Sequence, residues 1–430
     1  MKILFLHPNM PGQYKHLCVA FAKDPKNQVV FITKPKSFDL PNVHKVEYTP
    51  PREASISTHR YLTGAEIGVI NAQEVWKVCA KLKKEEGFIP DVICCHPGWG
   101  DALYLKDIYP DTPILSFLEF FYRAHGADVD FDKSERRSPD DDARVRTKNI
   151  INLMNLDSMD FGITPTLWQH SLHPDIYKPR ISVLHDGIDT EVCVPDDNAE
   201  LKIGENTYRA GDETVTYIAR NFEPYRGFPT FMKAAEIILQ KRPNARIIVV
   251  GADEVSYGKK LGKGETWRHK MMAQVKLDEN RVIFPGMISY HHLIKLFQIS
   301  RAHIYLTYPF VLSWSSMEAM SCGCAMISSR TAPVMEVMND GEHALLCDFF
   351  SPQEVAENVI KVLEHKDGMR DMRMAAREKI VDEYALQDLL PLHQQLIIDV
   401  ANKQHIPDTH TKIMQRHDQP RFEKILQNIA

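Results

Sequence analysis

Trp314-Ser315-Ser316-Met317-Glu318-Ala319-Met320-Ser321-Cys322-Gly323-Cys324-Ala325-Met326-Ile327-Ser328 decides the fold class. The stretch reads as a short helix over 317–322 that stops at Gly323 and runs straight into an apolar strand over 325–328. Glycine ends a helix readily because it enters the left-handed conformation without a Cβ clash. Glu318 sits one turn inside the helix start. The first N–H groups of a helix lack intrahelical partners and lie at its positive dipole end, so the start attracts an anion. A carboxylate one turn further in can hold hydroxyl groups. Together they point to a phosphate carried on a sugar.

Working outward, strand and helix patterns alternate along the chain. Apolar strand patterns fall at 3–7, 29–33, 92–95, 114–117 and 161–164, with helical patterns such as 72–86 and 147–156 between them. A second series places strands at 182–185, 215–219, 246–251, 282–285, 303–306, 325–328 and 344–347. Helical patterns at 229–241, 266–275, 291–299 and 352–365 separate them. Val- and Ile-rich strands alternating with helices imply parallel sheets covered on both faces. The expected class is α/β, with two doubly wound Rossmann-like domains facing a cleft. The first is expected over 1–178, completed by C-terminal helices about 386–430, and the second over 179–385. The join is expected in 177–207, which carries Pro179, Pro195 and the turn Asp196-Asp197-Asn198. The charge-dense stretch 126–142 reads as an exposed loop.

Composition excludes several classes. Hydrophobic residues make up 44% and charged residues 25% of the 430-residue chain, as in soluble globular proteins. The formal net charge is -5, so no global basic field favours a polyanion. The eight cysteines lie mostly in apolar runs without a C-x-x-C pair, which reads as reduced core thiols in a cytoplasmic protein. The N-terminal strand is interrupted by Pro8 and does not resemble a signal peptide. No apolar run reaches the ~18 residues a spanning helix needs. Peripheral contact with a membrane stays open.

Ligands of doubly wound sheets bind beyond the carboxyl ends of the strands, and chemistry-bearing residues cluster there. Gly12, in His7-Pro8-Asn9-Met10-Pro11-Gly12, lets backbone approach a ligand after the first strand. It does not complete G-x-G-x-x-G, so a dinucleotide site is poorly supported. His96, in Cys95-His96-Pro97-Gly98-Trp99-Gly100, stands where it can bond a sugar hydroxyl. Glu119, Tyr122 and Arg123 follow the next strand among aromatic neighbours and are candidates to touch an acceptor. Arg220 and Arg226, in Ala219-Arg220-Asn221-Phe222-Glu223-Pro224-Tyr225-Arg226, flank a turn and can grip phosphate oxygens with planar, permanently charged forks. Gly251 and Met287 mark strand ends where exposed backbone can pair with a flat base.

These residues resemble glycosyltransferase family 4, retaining enzymes of the GT-B fold. The resemblance runs from Asp186-Gly187-Ile188-Asp189 through Ala219-Arg220 and Tyr225-Arg226-Gly227 to 317–323 and Pro333-Val334-Met335-Glu336-Val337. It covers roughly 180–365, while the first half matches more weakly, through Asp91 to His96. It implies that Arg220 and Arg226 hold the donor diphosphate, the second in place of the family's usual lysine. It implies Glu318 on the donor ribose, His96 on the transferred sugar, and Gly12 under the diphosphate. Ser313, Trp314 and Ser315 stand at the donor helix start, Ser313 where glycine is common. One departure is plain. The family carries a second glutamate, which contacts the donor sugar, eight residues before the first, and here that residue is Phe310.

The implied reaction moves a sugar from a nucleotide-sugar to an acceptor hydroxyl with retained configuration, resting on positioning and charge stabilisation. It requires no metal and no cofactor, the nucleotide-sugar being a substrate. Asp128-Val129-Asp130 has the D-x-D spacing of a metal site but lies in the charged loop. The donor's base, UDP- or GDP-linked, is unresolved. The acceptor is open among a glycan, a lipid-linked glycan, a small metabolite and a modified nucleic acid. The rival readings are a sugar-nucleotide epimerase and a non-catalytic relative that only binds the donor.

Overall fold

The computed structural model describes residues 1–365, 367, 369–404 and 406–429, with side chains to 427. The chain divides into two compact units: Met1–Asp186 with Gln387–Lys424, and Gly187–Leu386 with the chain end from Ile425.

The first unit holds a seven-stranded sheet of β1 (Lys2–Leu6), β2 (Gln28–Thr33), β3 (His44–Glu47), β4 (Val92–Cys95), β5 (Ile114–Phe117), β6 (Phe161–Thr164) and β7 (Ile181–Val183). Its order is β3-β2-β1-β4-β5-β6-β7, with every pairing parallel. The order reverses at β1, so the switch point lies at the carboxyl ends of β1 and β4, where His7 and His96 follow. Ile3, Phe5, Phe31 and Val92 pack with Leu389, Leu396, Ile397 and Ile413, so the C-terminal helices Leu386–Ala401 and Asp408–Met414 share this core. The tail also covers the sheet edge at β7: Ser182 Oγ lies 2.9 Å from His410 Nδ1, and His417 Nε2 lies 2.6 Å from the Val183 carbonyl.

The second unit opens with an antiparallel hairpin, β8 (Glu200–Ile203) and β9 (Asn206–Arg209). A six-stranded parallel sheet follows: β10 (Thr214–Asn221), β11 (Arg246–Ala252), β12 (Val282–Gly286), β13 (Ala302–Tyr305), β14 (Met326–Ser329) and β15 (Ala344–Cys347). Its order is β12-β11-β10-β13-β14-β15, which puts the switch point at the carboxyl ends of β10 and β13. Side chains cap several of the helices that follow the strands. Ser289, Thr266 and Ser351 each accept a hydrogen bond from the N–H three residues on.

Four expectations need correction. The strand near 182–185 belongs to the first sheet as β7, paired with β6, so the units part after Asp186 and not at 178. The join contains the β8–β9 hairpin, where Gly204 at positive φ closes the turn. The 126–142 stretch is no simple exposed loop: Ala127 and Asp128 are buried, and a Ser138/Asp141 capping box starts the helix Pro139–Thr147. The quoted helix spans Trp314–Ser321, starting three residues earlier than expected because Ser313 caps it.

All eight cysteines are buried free thiols. Among the described residues no helix is long and apolar enough to cross a membrane.

Candidate functional site

In the second unit, the β10 exit organises the site. After β10 a single turn, Pro224–Arg226, ends at Gly227, and the helix Phe228–Lys241 follows. Gly227 has φ +68, and a Cβ there would meet the Leu306 Cβ at 2.5 Å. The Tyr217 hydroxyl donates to the Arg226 carbonyl at 2.6 Å, which fixes the backbone. The Arg226 side chain is half-buried, and its Nη1 lies within hydrogen-bond distance of Tyr305 Oη (3.0 Å), Thr307 Oγ1 (2.7 Å) and the Val311 carbonyl (3.1 Å). All three acceptors sit on β13 or the segment after it. The guanidinium is thus aimed across the switch point, its charge neutralised by no carboxylate among these contacts. Arg220 is exposed at the end of β10.

The Tyr305 hydroxyl also accepts from the Ser313 N–H at 2.8 Å, which ties Arg226 to the start of the helix Trp314–Ser321. That start is less open to an anion than the sequence suggests. Ser313 Oγ accepts from Ser315 N–H at 3.3 Å, and the Ser316 N–H bonds the Ser313 carbonyl at 3.2 Å. A phosphate arriving there would replace the long Ser313 cap. Trp314 is 44% exposed beside it. Glu318 is half-buried and accepts from the Tyr290 hydroxyl at 2.9 Å. Burial raises its carboxyl above the ordinary range, partly offset by the Tyr290 hydrogen bond.

Gly251 is buried, and its glycine identity follows from protein contacts: a Cβ would stand 2.4 Å from the Ala219 carbonyl oxygen. Met287 is 65% exposed after the Gly286 turn. Phe310 is buried among Tyr257 and Tyr225, at ring-centroid distances of 4.9 and 6.0 Å.

The sequence reading missed Glu223. Its carboxylate is buried and accepts three successive backbone N–H bonds, from Ser256 (3.1 Å), Tyr257 (3.0 Å) and Gly258 (2.8 Å). The available signal was an acid placed between two arginines meant for phosphate. Here the acid is occupied by the N–H groups of the loop after β11.

In the first unit, Gly12 has φ +51 at the turn Gly12–Tyr14, and a Cβ there would lie 2.7 Å from the His7 ring. His7 is a second missed residue. It stacks edge-on to His96 at 5.3 Å, and both rings lie against Trp99 at 5.0 and 4.5 Å. Burial, and next the neighbouring His96, pull the His7 pKa down to about 3, so it is neutral at physiological pH. Its Nδ1 accepts from the Asn9 N–H at 2.9 Å. His96 Nδ1 likewise accepts from the Gly98 N–H at 3.2 Å, so a neutral His96 carries its proton on Nε2. That buried Nε2 has no aligned hydrogen-bond partner and lies 3.4 Å from Glu119 Oε2.

The other two acceptor candidates are tied into the fold. Arg123 Nε donates to the Leu172 carbonyl at 2.7 Å, and its guanidinium covers Phe121. The Tyr122 N–H donates to Asn149 Oδ1 at 3.0 Å and its carbonyl accepts from Asn149 Nδ2 at 2.8 Å, and Lys148 lies over its ring. These contacts account for both residues without a ligand. The D-x-D pair is also internal: Asp128 is buried, and Asp130 accepts from the Gly126 and Ala127 N–H groups.

Two parallel sheets, each with polar groups gathered at its switch point, define the GT-B class. Solved structures agree on the fold. Sucrose-phosphate synthase from Thermosynechococcus elongatus superposes with a TM-score of 0.70 at 15% identity, over 94% of this chain and 100% of that one. HepE of Anabaena, in complex with UDP-glucose, gives 0.64 at 15% identity with the same coverages. A family model described as glycosyl transferase family 4 group matches 25–193, and one described as glycosyl transferases group 1 matches 201–379. The chain belongs to this glycosyltransferase group, family 4 type. Among curated relatives, N-acetyl-alpha-D-glucosaminyl L-malate synthase of Bacillus anthracis is 25% identical over 122 residues, 28% of this chain and 32% of the relative. The chain spans about a third of the length of the first curated relatives it matches.

Proposed function

We propose that the protein is a retaining glycosyltransferase that moves a sugar from a nucleotide-sugar to an acceptor hydroxyl. One observation carries the reading. Arg226, a cation aimed across the β10/β13 switch point, is joined through the Tyr305 hydroxyl to the helix start that bears Glu318 one turn further in. A diphosphate on the arginine and a ribose on the carboxylate match that spacing of chemistry. In the proposed step the bond from the anomeric carbon to the phosphate oxygen breaks and a bond to the acceptor oxygen forms on the same face. The acceptor proton passes to the departing phosphate, releasing the nucleoside diphosphate. Arg226 and Arg220 supply countercharge as the leaving group departs. His96, whose Nε2 faces Glu119 at 3.4 Å without an aligned hydrogen bond, is proposed to bond a hydroxyl of the transferred sugar. Gly12, Gly251, Met287 and Ser313–Ser315 are proposed to line the donor, and Glu119 the acceptor.

The eight unpaired thiols suit a reducing compartment, and we place the protein in the cytoplasm. Surface-glycan assembly is our leading role, and acceptor identity rests on experiment.

A thermal-shift screen of UDP-, GDP-, ADP- and dTDP-sugars tests the donor, with UDP-glucose first because HepE was solved with it. A ligand at 100 times its Kd is expected to stabilise the native state by about 2.7 kcal/mol. A panel that gives no shift at any concentration sinks the reading.

Glu318 adds a pH signature. Its raised pKa means that the carboxylate begins to protonate at a pH above the ordinary carboxylate range. Donor affinity is therefore expected to weaken as the pH falls into that range, and Glu318→Gln is expected to be weak and pH-independent there. Equal pH slopes for wild type and variant would remove Glu318 from the site.

A further inference from the structure

Where the family resemblance calls for a sugar-binding carboxylate, this chain builds an aromatic wall. Phe310 is 7% exposed and lies under Tyr257, which is 37% exposed. The wall continues through Tyr225, stacked on Tyr308 at 4.7 Å. The Arg226 guanidinium carbon lies 5.7 Å from the Tyr257 ring centre and 6.0 Å from that of Tyr305. The cation thus lies near two rings, one exposed and one buried.

Tyr257 is on the long loop after β11, yet it is fixed. Glu223 accepts the N–H groups of 256, 257 and 258, and Asn221 Nδ2 donates to Ser256 Oγ at 2.6 Å. A buried carboxylate satisfied by three successive backbone donors holds a loop in one conformation, because releasing it would leave either the anion or the amides unpaired. The clamp and the arginine turn are continuous in the chain, Glu223 leading directly into Pro224–Arg226.

Arg226 therefore links two groups of side chains. Through Tyr305 and Ser313 it connects to the helix of Glu318, which accepts from the Tyr290 hydroxyl. Its guanidinium also lies against the exposed Tyr257 ring, which packs on Phe310 where the resemblance expects a carboxylate. A nucleotide-sugar has that same order: ribose, diphosphate, sugar. We propose that Tyr257, backed by Phe310 and positioned by Glu223, is a stacking platform for the apolar C–H face of the transferred sugar. This inference rests on the donor-site reading above. Sugar choice then follows from the shape of that face, recognised by ring contact where a carboxylate would recognise hydroxyls. Glu223 is a positioning residue, acting through the loop.

Calorimetric titration of the full chain separates the alternatives. Two probe pairs are used, UDP-glucose with UDP and GDP-mannose with GDP, keeping the pair the wild type binds more tightly. Tyr257→Ala is expected to weaken the sugar-bearing ligand by about tenfold more than the bare diphosphate, the scale of one lost aromatic contact, the diphosphate losing only what the ring contributes to holding Arg226. Tyr257→Phe keeps the ring and is expected to restore the affinity. Glu223→Gln is expected to speed amide hydrogen exchange at 256–258 and to shift sugar-ligand affinity in the same direction as Tyr257→Ala. Equal weakening of both ligands by Tyr257→Ala would overturn the platform, as would a Tyr257→Phe as poor as the alanine variant. Unchanged exchange in Glu223→Gln would overturn the clamp. A wild type that binds none of the UDP-, GDP-, ADP- and dTDP-sugars of the panel overturns the donor-site reading, and the platform with it.

Discussion

Arg226→Ala is expected to lower turnover with the true donor by about 10²–10³-fold, the usual cost of removing one preorganised charge from a transition state. The residue is suited to that role by what surrounds it. Its backbone is fixed by Tyr217, and its Nη1 is fixed by Tyr305, Thr307 and Val311. The cation is therefore placed before substrate arrives and needs little reorganisation during the reaction. Removing it also strands those acceptors, so the variant should lose about 1–3 kcal/mol of stability. That loss is small enough for a folded, assayable protein. Arg226→Lys keeps the charge but gives up the planar fork. It should fall between the two, since the related enzymes commonly use lysine there. A drop of less than about tenfold in the alanine variant removes the phosphate role.

The second large effect is on the fold. Gly227→Ala should destabilise the protein by about 2–5 kcal/mol, read as a shift in the denaturant midpoint of the second unit. Two terms contribute. A left-handed conformation costs a non-glycine residue about 1–2 kcal/mol. The new Cβ would also stand 2.5 Å from the Leu306 Cβ, and overpacking of that kind costs about 1–3 kcal/mol. Neither atom is the free end of a flexible chain, so backbone must move. Gly227 caps both the Arg226 turn and the next helix, so the displacement also swings the guanidinium. Combining the change with Leu306→Gly, which removes that Cβ, should recover the steric part and leave the conformational part, a non-additivity that a double-mutant cycle detects. A Gly227→Ala variant within about 1 kcal/mol of wild type would show that the turn relaxes and that its tightness is not required.

Much of this architecture was legible in the chain. The central strands are Val- and Ile-rich and bounded by turns, so β1, β4, β10, β11 and β14 follow from local pattern. The GT-B class and the family follow from the motifs that end those strands. Three-residue β7 was assigned to the wrong half because it is short and follows the proline-bearing stretch where the join was expected, although it pairs with the strand just before it, β6. The β8–β9 hairpin was hidden because Lys-Ile-Gly-Glu-Asn-Thr-Tyr-Arg is polar and close to a proline-rich join.

At the site, residue type was more legible than engagement. Ser313 was expected at the donor helix start, but its N–H already donates to the Tyr305 hydroxyl, eight residues earlier. Arg123 was expected at an acceptor, but the Leu172 carbonyl occupies its Nε. Both partners come from tertiary packing, which periodicity does not encode. Glu223 and His7 were overlooked for the opposite reason. Each sits beside a residue with a more recognisable role, and its importance lies in what it holds in place.

The central claim is transfer with retention, and the anomeric centre of the product reports it. With the donor identified and an acceptor in hand, proton NMR can follow the reaction before spontaneous anomerisation. The account predicts a new glycoside whose anomeric coupling matches the configuration of the donor, formed in step with free nucleoside diphosphate. A glycoside of inverted configuration would contradict it, as would an epimerised donor without any transferred sugar.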